Sequence, residues 1–278
     1  HIQSYFNAAN YITVAQLYLK NNILLNRNLE LSDLKERFVG HWGTSTGLNF
    51  IYAHLNNFIK NNNIRTHLVI GTGHAAAAMN ANLFLEGSMH KIINYTRDLD
   101  GLKIIINSFG KDMLFQTEIT PHLPGVIYEG GELGHAISFS YGVALDSPNE
   151  LVVAVIGDGE LETGPALAGL NLNKVISAKK SGMVLPIVNL NGFKMSSPSI
   201  YSLLNKKELE NLFKGFGYDP IIVNGNHKDM AIALEKAYSI LLNIRKHAQV
   251  QKYGHSYPPI IILKTPKGWT GIKEYNGA

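Results

Sequence analysis

Asp158 lies between two glycines at the end of an unbroken apolar run, and Asn191 stands 33 positions later (191 − 158) just beyond a second such run. A carboxylate and a carboxamide are hard oxygen donors. Mg²⁺ takes six oxygens in an octahedron and is usually held by one or two protein side chains together with the phosphates of a ligand. Asp158, the Asn191 side-chain oxygen and the Phe193 carbonyl are thus candidate ligands for such an ion. Gly157 and Gly159 would let the backbone turn tightly and come close to a phosphate with no side chain in the way. Taken alone, Gly-Asp-Gly is equally an ordinary turn.

The two apolar runs must position these groups. Leu151 to Ile156 has six apolar residues without alternation, as does most of Met183 to Val188, and such runs describe strands buried on both faces in the middle of a parallel sheet. Ligands in folds of this kind gather at the carboxyl ends of the strands. A third run, His67 to Ile70, ends in Gly71-Thr72-Gly73-His74, again glycines and a polar side chain. Pro220 to Val223 and Pro259 to Leu263 read as further strands, and Leu48 to Lys60, Lys206 to Gly215 and Lys228 to about Ala248 as helices. The expected fold is a doubly wound parallel α/β sheet flanked by helices. Residues 71–74, 157–159 and 191 would line one edge.

Upstream, Ala8 to Asn22 reads as a helix, and a second is expected from Leu31 with Ser32 as its cap. They form an N-terminal helical extension over 1–39, within a single domain spanning 1–278. The segment from Leu102 to Gly125 has no clear period. Downstream of it, a helix carries Ala136, Ile137, Val143 and Leu145 on its apolar face.

Composition narrows the chemistry. The 278 residues are 45% hydrophobic and 17% charged, which is ordinary for a globular domain with a sizeable core. There is no cysteine, so disulfides, thiolate nucleophiles and cysteine zinc sites are excluded. The formal net charge of +4 comes from scattered lysines and arginines without an aromatic-interleaved stripe, which argues against nucleic acid as a partner. No apolar run reaches the eighteen or so residues of a membrane span, and a cytoplasmic setting is expected.

Several stretches together resemble the phosphoketolases, thiamine-diphosphate-dependent relatives of transketolase. They are Gly40-His41-Trp42-Gly43-Thr44, Gly130-Gly131-Glu132-Leu133-Gly134, Gly157 to Pro165, Leu190-Asn191-Gly192-Phe193-Lys194 and Thr265-Pro266-Lys267-Gly268-Trp269. The resemblance spans nearly the whole chain but only the first third of that family's length. It implies the thiamine-diphosphate-binding fold, in its diphosphate-binding domain, with thiamine diphosphate and Mg²⁺ as cofactors. Gly73, His74, Gly142, Gly157, Asp158, Gly159, Glu160, Asn191 and Lys267 would contact the coenzyme, and Asp158, Asn191 and Phe193 the metal. His41, His74, Tyr128 and Lys267 would be the catalytic set. The histidines would assist proton transfer at substrate hydroxyls, and Lys267 would offset negative charge at the phosphate end. The alternatives are a loop histidine bonded only to backbone for His41 and an exposed turn lysine for Lys267.

The chain also departs from the pattern. Thr72 stands where the family has proline, Ala75-Ala76 where it has glycines, and Tyr128 where it has histidine. A tyrosine with a pKa near 10 donates a hydrogen bond but shuttles protons poorly at neutral pH. Residues 108–122 are rewritten and lack the family's glycine-rich loop, with His122 as a possible equivalent of its histidine.

The resemblance implies an enzyme that cleaves the bond beside a ketone in a phosphorylated sugar or other ketone substrate and releases or transfers a two-carbon unit. The glutamate that protonates the coenzyme's pyrimidine lies, in the family, in a later domain. A second chain carrying that domain is therefore the expected partner, in a hetero-oligomer. Two rival readings remain: a ketol transferase with a non-phosphate acceptor, and a non-catalytic regulatory subunit.

Overall fold

The computed structural model describes residues 1–91, 95–250 and 257–271. The chain forms two compact units, His1–Ala53 with Gly73–Gly131 and Gly268–Ala278, and His54–Thr72 with Glu132–Lys267.

In the first unit, helix α1 (Ile2–Tyr18) packs against α3 (Ala76–Glu86) and α4 (Leu99–Ser108), and the first half of α2 (Ser45–Asn62) also belongs to it. Buried amides pin these helices: Gln16 donates to the Ala77 carbonyl at 2.7 Å, and Asn49 to Asn10 at 2.9 Å. The helix expected from Leu31 is instead a single 3₁₀ turn, Leu31–Asp33, capped at Glu30 and not at Ser32. Tertiary partners outweigh local propensity here. Asp33 is fully buried against Arg27, with bonds of 2.7 and 2.6 Å, Leu34 bridges to Leu19, and the Lys35 ammonium donates to the carbonyls of Gln16 and Ile106. Helix α4 arises where no period is evident. Its start is marked by Asp98, which accepts from the amides of Asp100 and Gly101 as an N-cap.

The second unit is a five-stranded sheet, all parallel, in the order β1-β2-β3-β5-β4, with β1 Thr66–Ile70, β2 Leu151–Gly157, β3 Met183–Leu190, β4 Asp219–Val223 and β5 Pro259–Lys264. Every residue of β2 and β3 is buried, as the unbroken apolar runs require, whereas the edge strands β1 and β4 are half-exposed over most of their length. Helix α5 (Ala136–Asp146) covers β1 to β3, burying Ala136, Ile137, Tyr141 and Ala144 but leaving Leu145 62% exposed. Short helices α6 (Asp158–Leu161) and α7 (Gly164–Gly169) follow β2, and α8 (Lys206–Gly215) and α9 (His227–Gln249) flank β4 and β5. No helix among the described residues is long and apolar enough to cross a membrane.

His54 on α2 and His227 at the start of α9 meet ring nitrogen to ring nitrogen at 2.8 Å, with His54 only 2% exposed. Burial first, and then the neighbouring His227, push His54 from 6.5 down to about 4. A folded-state pKa below the unfolded one stabilises the fold above pH 6.5, and that stability is lost as pH falls towards 4. Denaturant midpoints measured from pH 7 to 4 are expected to fall through this window, and to fall less steeply in His54→Gln.

Candidate metal and diphosphate site

Parallel pairing of β2 with β3 sets Gly157 opposite Asn189, so Asp158 and Asn191 emerge at adjacent strand tips. Asp158, 2% exposed, opens α6, and its Oδ2 accepts from the Gly192 amide at 2.9 Å and the Ser199 hydroxyl at 2.6 Å. Both donors are neutral. Burial therefore raises the Asp158 pKa, and these hydrogen bonds only partly offset the rise. Asn191 is 9% exposed, and its side-chain oxygen accepts from the Phe193 amide at 3.0 Å. Gly192, between them, has a φ of +90°, which favours glycine.

The chain after Asn191 is a tight hairpin. Lys194 N–H donates to the Ser197 carbonyl at 2.8 Å and Ser199 N–H to the Gly192 carbonyl at 3.0 Å, with Phe193 bridged to Pro198. Two side chains clamp it. Lys267 donates to the carbonyls of Lys194 and Met195 at 2.7 and 3.1 Å, while Glu162 accepts from Lys194 Nζ at 2.7 Å and the Ile200 amide at 2.6 Å. Lys267 thus stands on the loop that carries Asn191. Neither Glu162 nor Ser199 is singled out by sequence reasoning, since their partners lie 32 to 41 positions away with no local signal.

Glycines set the close approaches. A Cβ at Gly157 would stand 2.6 Å from the Thr72 methyl, and one at Gly159 3.0 Å from the Lys194 side chain. At Gly71 it would overlap both carboxylate oxygens of Glu160. Glu160 is 3% exposed and accepts from the amides of Gly134 at 3.0 Å and Gly157 at 3.3 Å, with burial driving it up to about 7. Its carboxyl therefore braces the backbone on either side of the strand tip. Gly142 is exposed on α5 with open space where a side chain would be.

In the first unit, the His41 and His74 rings stand edge to face with centroids 5.1 Å apart. His41 follows Gly40, whose φ is +91° and which packs on Leu17 and Phe109. The Gly43 carbonyl accepts from Gly268 N–H at 2.9 Å, and Trp269 packs on Phe6 and Phe50, so the two tryptophan-bearing motifs share one packing cluster. His74 lies in a 3₁₀ turn, Gly73–Ala75. Tyr128, half-exposed, lies two residues before Gly130, whose carbonyl accepts from Gly73 N–H at 3.1 Å. His122 is exposed, with Nδ1 2.8 Å from the Thr120 hydroxyl.

No group of three or more His, Cys, Asp or Glu side chains converges among the described residues. The donors at the strand tips fit a different kind of site, one in which a carboxylate, an amide oxygen and a backbone carbonyl share a hard cation with phosphate. A divalent ion there would reverse the burial penalty that Asp158 now carries.

The fold is that of the transketolase amino-terminal domain. The structure of transketolase from Leishmania mexicana superposes with a TM-score of 0.67 at 20% identity, over 98% of this chain and 38% of that one. The family model described as "XFP N-terminal domain" matches residues 1–278, and the chain belongs to this phosphoketolase amino-terminal family. Relatives described as "Probable phosphoketolase" are 43% identical in Bradyrhizobium diazoefficiens and 42% identical in Rhodopirellula baltica, each over 99% of this chain. The chain spans 36% of the length of those relatives.

Proposed function

We propose that this chain is the diphosphate- and metal-binding part of a thiamine-diphosphate-dependent enzyme of the phosphoketolase type, which cleaves the bond beside a ketone and releases or transfers a two-carbon unit. The observation that carries the reading is the pair Asp158 and Asn191 on adjacent strand tips, joined through the Gly192 amide. Family membership supports it.

Asp158, Asn191 and the Phe193 carbonyl would hold Mg²⁺, and Gly157 and Gly159 leave room for the diphosphate. Bound thiamine diphosphate supplies the electron sink for carbon–carbon cleavage. The chain's own residues orient the reactants and handle protons. His41 and His74 accept or return protons at substrate hydroxyls, Tyr128 donates a hydrogen bond, and Lys267 holds the loop behind Asn191 while its charge favours phosphate. Glu160 acts at a distance, by fixing the Gly134 and Gly157 amides.

The glutamate that activates the coenzyme's pyrimidine would come from a further domain or a second chain in a hetero-oligomer. Isothermal titration with thiamine diphosphate and Mg²⁺, with and without a candidate second chain, tests the reading. Binding that tightens with the second chain is expected. Absence of binding in both arms refutes the coenzyme assignment, and full turnover by this chain alone refutes the need for a partner. Tyr128, Ala75 and the rewritten 108–122 segment favour a variant in which the two-carbon unit passes to a non-phosphate acceptor. A hydroxamate assay for acetyl phosphate, run on the assembled enzyme with xylulose 5-phosphate, separates release to phosphate from transfer.

A further inference from the structure

The 108–122 segment brings a carboxylate up against Gly73. A cycle of three backbone bonds fixes the geometry: Gly73 N–H donates to the Gly130 carbonyl at 3.1 Å, Gly130 N–H to Ile119 at 3.3 Å, and Ile119 N–H to Gly73 at 2.8 Å. Glu118 precedes Ile119, and a Cβ on Gly73 would lie 2.7 Å from its Oε2. The missing side chain of Gly73 leaves room first for the Gly130 carbonyl, 2.3 Å from where a Cβ would stand, and then for this carboxylate, one residue from His74, whose ring meets that of His41.

Glu118 is half-buried, and no hydrogen bond or ion pair to its carboxylate occurs among the described residues. Burial raises its pKa. None of the described residues takes up the acceptor capacity of this carboxylate, which leaves it placed to accept from a ligand group that donates.

We propose that Glu118 is a specificity-determining residue: its carboxylate accepts a hydrogen bond from a neutral hydroxyl of the substrate beside His74 and disfavours an anion at that point. The proposal rests on the thiamine-dependent reading and deepens it by naming the chemical class recognised there. A hydroxyl both donates and accepts, so it can donate to the carboxylate while accepting from a second group. A phosphate dianion has at most one hydroxyl to donate and brings a like charge to the carboxylate. An acceptor presenting a polyhydroxy carbon chain is therefore favoured over inorganic phosphate.

The test uses the assembled enzyme that contains this chain, loaded with thiamine diphosphate and Mg²⁺, so that the coenzyme's own phosphate site is filled. Inorganic phosphate is titrated calorimetrically into wild type, E118Q and E118D. The expected result is equal coenzyme affinity in all three, phosphate binding about tenfold tighter in E118Q, as removal of one nearby like charge implies, and no gain in E118D. Equal phosphate affinity in wild type and E118Q overturns the proposal, as does an E118D that behaves like E118Q, since packing rather than charge would then be responsible. If none of the three takes up the coenzyme, the thiamine reading falls and this inference with it.

Discussion

Asp158→Ala is expected to weaken binding of thiamine diphosphate with Mg²⁺ by about 100-fold or more, the upper end of what loss of even an outer-shell partner costs a metal site. Two effects combine. The substitution removes the only charged donor among the three proposed ligands. It also leaves the buried Ser199 hydroxyl and the half-buried Gly192 amide without their acceptor, and a buried donor left unpaired costs ~1–3 kcal/mol. The second effect loosens the hairpin that carries Asn191, so alanine acts on both proposed side-chain ligands. Asp158→Asn separates the contributions. Its amide oxygen can still accept from Ser199 and Gly192 but brings no charge to a cation. Titration calorimetry should place it between wild type and alanine in coenzyme affinity, with thermal stability close to wild type. Wild-type affinity in Asp158→Ala would remove the basis of the metal site.

Gly71→Ala is expected to destabilise the protein by roughly 3 kcal/mol, the upper range for overpacking a well-filled interior. The added methyl overlaps both oxygens of Glu160, which cannot swing aside without abandoning the amides of Gly134 and Gly157. At roughly 2–4 °C per kcal/mol for a unit of this size, melting should fall by about 6–12 °C. Glu160→Ala alone also costs stability, because it orphans those two amides. Once the carboxyl is gone, however, the methyl at position 71 has space. The double variant should therefore lose distinctly less than the sum of the singles, the signature of direct contact. Strict additivity in melting or denaturant midpoints would mean that the two residues do not share this space.

The sheet was legible wherever burial on both faces left an unbroken apolar run, as in β2 and β3, and the glycines at the strand tips were legible because they end those runs. Residues 31–39 were not legible: Ser32 and Leu34 carry helix signals, but Asp33 and Lys35 are claimed by partners elsewhere in the chain. Helix α4 is hidden in the sequence although Asp98 announces it, because the apolar spacing after the cap has no clear period. Asp158, Asn191, His41, His74 and Lys267 could be named from motifs. Ser199, Glu162 and Glu118 could not, since each meets its neighbours only once the chain is folded. Glu160 was legible as part of a motif, while the inward turn of its carboxyl becomes visible only with Gly71 and Gly134 in place.

The Ser199 hydroxyl and the Gly192 amide both fall on the same oxygen of Asp158, which uses up that atom's lone pairs. A cation arriving here would meet the carboxylate through a single oxygen. Larger ions such as Ca²⁺ gain from bidentate carboxylates and seven or eight ligands, whereas small ions accept monodentate contact and strict octahedral angles. At the proposed metal site, a serine 41 positions downstream would thus bias the denticity and act as an ion-size filter favouring Mg²⁺ or Mn²⁺ over calcium.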